Sequence, residues 1–124
     1  MNPNNRATLE ASRRLVEAGI VLETEAAWYQ DDEGRWWLLP NKEYNKVLHE
    51  QSLPAPCMAE AWRELPESII DSRTAYFLKL MTVLGTTVAG YFSNGCSIKD
   101  FKSPNPTDAL IALLIWPRGR KEAV

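Results

Sequence analysis

Histidine and cysteine, the residues that most often carry metal and thiol chemistry, are scarce in this sequence of 124 residues. Its one histidine is His49, and its two cysteines, Cys57 and Cys96, lie in different segments without a CxxC spacing. A zinc site needs ligands at short spacing, so no metal site is predicted. We expect a cytoplasmic protein with reduced thiols, although one long-range disulfide remains open.

The sequence also lacks a strong net charge and a long apolar run. Lysine and arginine total 14 and aspartate and glutamate total 16, which gives a net charge of -2. Nucleic-acid binding usually needs a basic stripe, so a nucleic-acid partner is not expected. The apolar run 109–116 falls well short of the ~20 residues that cross a bilayer, and the first residues lack the pattern of a secretion signal. No membrane partner is therefore predicted.

Catalytic sequence motifs are absent as well. The chain has no GxSxG elbow, no Walker loop, no GxGxxG and no HExxH. Six of its 16 acidic residues form two groups, which are expected to be a solvated turn and the polar side of a short helix: Asp31, Asp32 and Glu33, and Glu60, Glu64 and Glu67. The sequence therefore predicts no catalytic residue and no cofactor.

The first third of the chain predicts a helix followed by a hairpin. Residues 6–18 carry apolar side chains at spacings of three and four, and Gly19 is a helix stop. Residues 21–29 alternate in polarity, residues 31–34 form an acidic turn, and residues 35–39 return as a second strand.

The middle of the chain is less regular. Residues 41–52 are polar, with one or two helical turns left open, and residues 53–56 (Leu-Pro-Ala-Pro) predict a rigid extended connector. Residues 57–65 indicate a short helix, and residues 67–73 a second connector.

A second hairpin is predicted over residues 74–92, with its turn at Leu84-Gly85. Both faces of its first strand are apolar, as in a central strand, and a helix over residues 78–84 is the competing interpretation. Ser93-Asn94-Gly95 is a turn, after which residues 96–101 can add a short edge strand.

The closing helix carries the strongest local signal. Asn105 can cap it, Pro106 suits its first position, and Asp108 places negative charge in its first turn. Residues 109–116 are apolar on every side, so this helix must be covered on every side, and Pro117 is expected to end it.

These elements predict a single α+β domain over residues 1–124, in the order α-β-β-α-β-β-α. About four strands from the two hairpins, with a fifth at the edge as an option, would form one antiparallel sheet. Two to three helices would cover one face of that sheet. The other face would then be open to solvent or to a partner, and it is the place where we would look for function.

Aromatic residues are the most suggestive feature of the composition. The chain has five tryptophans, and Trp36 and Trp37 are adjacent on a strand, so their side chains point to opposite faces. One of them is expected outside, near Tyr29 or Arg35, and Trp116 ends the apolar helix. Because tryptophan and tyrosine are enriched at interfaces, Tyr29, Trp36, Trp37 and Trp116 are the candidate contact residues.

Several stretches resemble a loose set of short uncharacterised proteins of Bacteroidetes genomes and their phages or mobile elements. The resemblance lies in residues 15–20 (LVEAGI), residues 53–57 (LPAPC) ahead of residues 61–66 (AWRELP), and residues 105–110 (NPTDAL). Cys57 stands where that pattern has serine or threonine. These motifs are structural and carry over no catalytic residue; the resemblance implies an intracellular accessory protein.

The leading hypothesis is thus a non-enzymatic protein-interaction module that binds a protein partner or associates with itself. A small hydrolase that uses Cys57, Cys96 or a carboxylate is the alternative. Weak nucleic-acid binding through the basic residues Arg118, Arg120 and Lys121 is a second alternative. The sequence leaves the partner, any small-molecule ligand and the oligomeric state open.

Overall fold

A computed structural model describes residues 6–20, 22–40 and 52–120, without the side chains of residues 117–120. Residues 41–51, for which helical turns were left open, lie outside the described residues, and so does His49. The described elements are α1 (Leu9–Glu17), β1 (Ala26–Gln30), β2 (Trp36–Pro40), β3 (Ser52–Pro54), α2 (Met58–Trp62), β4 (Ser68–Asp71), β5 (Thr74–Val83), β6 (Thr86–Ser93), β7 (Cys96–Ser103) and α3 (Pro106–Arg120).

The α+β class is confirmed, but the two hairpins lie in two antiparallel sheets rather than in one. The three-stranded sheet has the order β2-β1-β3, and the four-stranded sheet has the order β4-β5-β6-β7. Each hairpin is extended by a strand of its own that the sequence did not predict. β3 pairs with the free side of β1, and β4 pairs with the free side of β5.

Both of these additional strands come from segments that the sequence predicts as connectors. Residues 53–56 are extended as expected, and Pro54 is tolerated because β3 pairs on one side only, with β1. β4 returns to β5 through a two-residue turn in which Ser72 and Arg73 have φ of 49° and 68°. Such turns normally carry glycine or asparagine, so this pair of residues gave no turn signal.

The strand predictions over residues 35–39 and 74–92 are confirmed, and the helix alternative over residues 78–84 is excluded. The strand predicted over residues 21–29 is shorter than expected, because β1 begins at Ala26 and residues 22–25 are not in a strand. The β5–β6 turn is Leu84-Gly85, with φ of 51° and 78°, and the β6–β7 turn is Asn94-Gly95, with φ of 51° and 80°. Residues 96–101, for which an edge strand was an option, belong to β7. Type I′ geometry needs positive φ at both positions, which is why asparagine and glycine were informative.

The predicted start of α3 is confirmed. Asn105 Oδ1 accepts hydrogen bonds from the N–H groups of Thr107 at 2.9 Å and Asp108 at 3.3 Å. The predicted start of α1 at residue 6 is wrong: the helix begins at Leu9, because Thr8 caps it by accepting from the N–H of Ala11 at 3.2 Å. Gly19, with φ of 77°, follows its end as expected. The prediction that Pro117 ends α3 is wrong: the helix continues to Arg120, because a proline in the last turn removes only one donor.

Helix α3 lies at the centre of the core. Its side chains Leu110, Ile111 and Leu113 are buried against the inner face of the four-stranded sheet, with α1 and α2 beside it. α1 and α3 start next to each other, since the N–H and hydroxyl of Thr8 donate to Asp108 at 2.9 and 2.7 Å. Within the described residues, no helix has the length and apolar character to cross a membrane.

Candidate interaction surface

The four-stranded sheet has helices on one face only, and its other face is the candidate surface. Leu78, Leu80 and Tyr91 pack into the core, so alternate residues point away from it. We call this side the outer face. By strand register it comprises Ser68, Ile70, Ala75, Phe77, Lys79, Met81, Val83, Thr86, Val88, Gly90, Phe92, Ser97, Asp100 and Lys102.

Large apolar side chains on the outer face are exposed. Ile70 is 78% exposed, Phe77 59% and Val83 52%. Met81 and Phe92 are half-buried, and they lie in register beside Val88 and Phe77 respectively. Lys79 lies between Phe77 and Val83 on β5, so the exposed apolar side chains form two groups on the same sheet face. Exposed apolar groups gathered on one face are typical of a binding surface, whereas a single scattered one needs no explanation.

Charges of both signs cross the middle of this apolar surface. Lys79, Gly90 and Asp100 are in register on β5, β6 and β7, so a lysine and an aspartate flank the glycine. Asp100 accepts a hydrogen bond from the Ser97 hydroxyl at 2.6 Å. In the described part of the chain, no carboxylate lies within ion-pair distance of Lys79.

Gly90 is fixed by the close approach of β7. A Cβ at this position would lie 2.6 Å from the carbonyl oxygen of Lys99 and 2.8 Å from the Cβ of Asp100. The register shifts here, because Tyr91 pairs with Lys99 while Phe92 pairs with Ser97, which leaves one extra residue in β7. Asp100 itself is in regular register with Gly90, and its Cβ lies beside the glycine on the outer face.

The four aromatic residues singled out from the sequence are placed apart. Tyr29 is 1% exposed and lies inside, whereas Trp37, its register partner on β2, is 50% exposed. Trp36 points to the opposite face and is half-buried. Trp116 is half-buried on α3 and lines a groove of about 620 Å³ whose other lining residues include Arg14, Glu17 and Phe101. The role of these residues in partner contact stays a prediction.

Trp37 belongs to a hairpin tip whose polar groups bond to one another. Its indole N–H donates to Asp31 Oδ2 at 2.9 Å, and the guanidinium of Arg35 lies 5.8 Å from its ring centroid. The indole bond, followed by the backbone N–H of Arg35, lowers the pKa of Asp31 below its ordinary value. The acidic turn is thus an organised turn, as expected from the preference for aspartate there.

A buried ion pair is the strongest electrostatic feature away from the surface. Arg6 Nη1 donates to Glu60 Oε1 at 2.8 Å, with side chains 12% and 8% exposed. Glu60 also accepts from the N–H groups of Cys57 and Glu25, each at 2.9 Å. Sequence reasoning placed Glu60 on the polar side of a short helix, yet it is buried because Arg6 reaches it from 54 positions away. The arrangement joins three segments and leaves the carboxylate engaged on both oxygens.

Within residues 6–20, 22–40 and 52–120, the residues of the alternative hypotheses lie in separate places. Cys57 is half-buried at the start of α2 and lines a groove of about 540 Å³ together with Glu23, Glu25 and Glu60, whereas Cys96 is exposed at the β6–β7 turn. No group of three or more histidine, cysteine, aspartate or glutamate side chains there could hold a metal ion. The side chains of Arg118 and Arg120, and the whole of Lys121, lie outside the described part.

The outer-face residues were not among the candidate residues from sequence. The sequence predicted an open sheet face, because two or three helices can cover only one face, but it assigned no residues to that face. Apolar side chains on both faces of β5 were interpreted only as the mark of a central strand. No family model, curated protein or solved structure matches this chain.

Proposed function

We propose that this chain is a protein-interaction module without catalytic activity, and that the outer face is its contact surface. The observation that carries the proposal is the joint exposure of Ile70, Phe77 and Val83 on one sheet face that no described element covers. The partner that fits is a flat, apolar protein surface with charged groups of both signs.

The form of the surface supports this choice over the other exposed regions. Its apolar side chains are held on regular strands, so little side-chain and backbone freedom is lost on binding. The tip around Trp37 has its indole N–H already bonded to Asp31, and the groove at Trp116 is bordered by the charged Arg14 and Glu17. A cytoplasmic accessory role in a mobile element, which the resemblance implies, belongs to the same proposal.

The test compares matched variants as bait for partner capture, followed by reconstitution with the purified partner. Ile70→Ser/Phe77→Ser removes apolar contact from the outer face, and Trp37→Ser changes an equally exposed aromatic residue elsewhere. We expect the outer-face variant to weaken the reconstituted complex by about 2 kcal/mol, or roughly 30-fold, as for a central aromatic contact. The Trp37→Ser variant should bind like the unmodified chain.

The opposite pattern contradicts the proposal. If Trp37→Ser abolishes the complex and the outer-face variant keeps it, the contact surface is the hairpin tip. Circular dichroism of each variant checks that the sheet is intact. Since both outer-face substitutions are at exposed positions, their effect on stability should stay within about 0.5 kcal/mol.

A further inference from the structure

The pattern of charges and side-chain sizes on the outer face points to one partner: we propose that the face binds a second copy of this chain. This inference rests on the proposed function and names its partner. The two copies would pack their outer faces together as a sheet sandwich, related by a two-fold axis that runs along β6. A two-fold interface uses the same patch on both copies, so the patch must complement itself.

The row of residues Lys79, Gly90 and Asp100 complements itself in this way. A two-fold axis along β6 places β5 of one copy opposite β7 of the other. Lys79 of each copy then faces Asp100 of the other, because both residues are in register with Gly90 and lie on opposite sides of it. Two ion pairs form by symmetry, and each supplies Lys79 with a carboxylate that the described part of the chain does not.

The neighbouring rows also complement themselves about the same axis. On one side of Gly90, Phe92 faces its own copy, and the large side chain of Phe77 faces the small side chain of Ser97. On the other side, the aliphatic stem of Lys102 faces Met81, while Val88 lies on the axis. Because packed sheets are rotated by about 30°, this matching is closest near Gly90 and decreases outward.

A two-fold axis perpendicular to the strands would not bring opposite charges together. It would place Lys79 opposite Lys79 and Asp100 opposite Asp100, which puts like charges together in both cases. The charge pattern therefore selects the axis along β6. The missing side chain of Gly90 lets the two faces approach at that point.

The overlap of the two faces limits the contact area, because an axis along β6 leaves β4 of each copy outside the contact. The three remaining strands, about 4.8 Å apart and about eight residues long with a rise of ~3.3 Å, give about 380 Å² in projection for each copy. Two copies bury about 760 Å² in total, which is below the ~1,000 Å² of a stable specific interface and indicates a weak association. We expect a reversible dimer that dissociates on dilution, so the measurement must cover a range from micromolar to several hundred micromolar protein.

Charge reversal combined with mixing provides the experiment, with sedimentation velocity as the readout. The Lys79→Asp chain carries two acidic residues at the paired positions, and the Asp100→Lys chain carries two basic ones. Each variant alone should lose at least about 100-fold in dimer association, since like charges then face each other twice. An equimolar mixture should regain a dimer, because both pairs are again of opposite sign in the mixed dimer.

The inference is overturned if the unmodified chain is monomeric at all these concentrations. It is also overturned if the chain forms a dimer that neither charge-reversal variant weakens. The proposed function is still supported after those results if the Ile70→Ser/Phe77→Ser variant no longer binds a different purified partner. If that variant binds every partner as the unmodified chain does, the proposed function is contradicted as well. Should Asp100→Lys lose its fold because Asp100 packs on Gly90, the exposed positions Lys79→Asp and Phe77→Ser carry the test. Dimerisation unaffected by either of them overturns the inference.

Discussion

Glu60 is a single side chain that joins three segments far apart in sequence. Its carboxylate binds Arg6 ahead of α1, the N–H of Glu25 ahead of β1, and the N–H of Cys57 at the start of α2. A buried carboxylate is expensive to desolvate, and the cost is offset here because both oxygens accept hydrogen bonds from charged or backbone donors. The pair therefore fixes the relative placement of these segments more than it adds net stability.

We predict that Glu60→Gln lowers the free energy of unfolding by about 3 kcal/mol, because it leaves Arg6 buried without a counter-charge and turns an amide N–H toward a backbone donor. Urea denaturation of the two chains measures the difference. Glu64→Gln, at an exposed position on the same segment, is the control and should change stability by less than about 0.5 kcal/mol. A Glu60→Gln chain as stable as its control would show that the pair is dispensable.

A second prediction at this scale concerns pH. Burial raises the pKa of Tyr91 to about 12, and its hydroxyl donates to the carbonyl of Pro66 at 2.8 Å. In the unfolded chain a tyrosine titrates near pH 10, so between about pH 10 and 12 the folded state binds more protons than the unfolded state. Stability contributed by this group is therefore present below pH 10 and lost as the pH rises toward 12.

Denaturant unfolding between pH 9 and 11.5 tests this linkage. The Tyr91→Phe chain should be less stable at pH 9 by about 1 kcal/mol, through the lost hydrogen bond, and should show a shallower loss of stability in alkali. Tyr76→Phe, a half-buried residue on the same sheet face, is the comparison. Equal alkaline slopes in the unmodified and Tyr91→Phe chains would contradict the prediction.

The sequence was informative about residues where the chemistry is local. Asn105 was predicted to cap α3 because asparagine followed by proline and aspartate is sufficient, without knowledge of the rest of the fold. Glu60 was misplaced because its partner is distant in sequence, and periodicity on a five-residue helix says little about burial. Charge pairs of this kind become visible only when the segments are placed in space.

At the scale of elements, turns separate the strands that were predicted from those that were not. Leu84-Gly85 and Asn94-Gly95 each have glycine at the second of two positions with positive φ; the β5–β6 hairpin was predicted, and β7 was recognised as an optional edge strand. Ser72-Arg73 adopts the same geometry without glycine or asparagine, so β4 was missed. Positive φ in a residue with a Cβ is uncommon, and here the pairing of β4 with β5 over four residue pairs supports it.

The β6–β7 pair gives a prediction for an element. Gly90→Ala should destabilise the fold by about 1 to 3 kcal/mol, because the new methyl group meets the Lys99 carbonyl and the Asp100 Cβ and forces β7 away from β6. Thermal unfolding of the variant and of Thr82→Ala, an exposed position on the adjacent strand, measures the effect. If both variants unfold at the same temperature, the close approach of the two strands is not required.

At the scale of the whole molecule, the order of elements was largely predictable and the number of sheets was not. Each hairpin could be recognised from its own residues, but the strand that completes each sheet comes from a segment rich in proline or in polar residues. The choice between one sheet and two depends on pairing between segments that are far apart in sequence, and no local pattern records that pairing. The same limit applies to the candidate surface, since its residues are brought together by the pairing of four strands.

The adjacent starts of α1 and α3 have a consequence for the time course of synthesis. Thr8 and Asp108 are 100 positions apart, and at ~5 to 20 residues per second the partner of Thr8 emerges about 5 to 20 s after it. Until then α1, a nine-residue helix, lacks the helix it packs against and is marginal by itself. During the same interval β5 and β6 are already made while α3 is not, so both faces of the nascent sheet are apolar and open. The nascent chain is therefore most exposed to aggregation just before its last helix is complete.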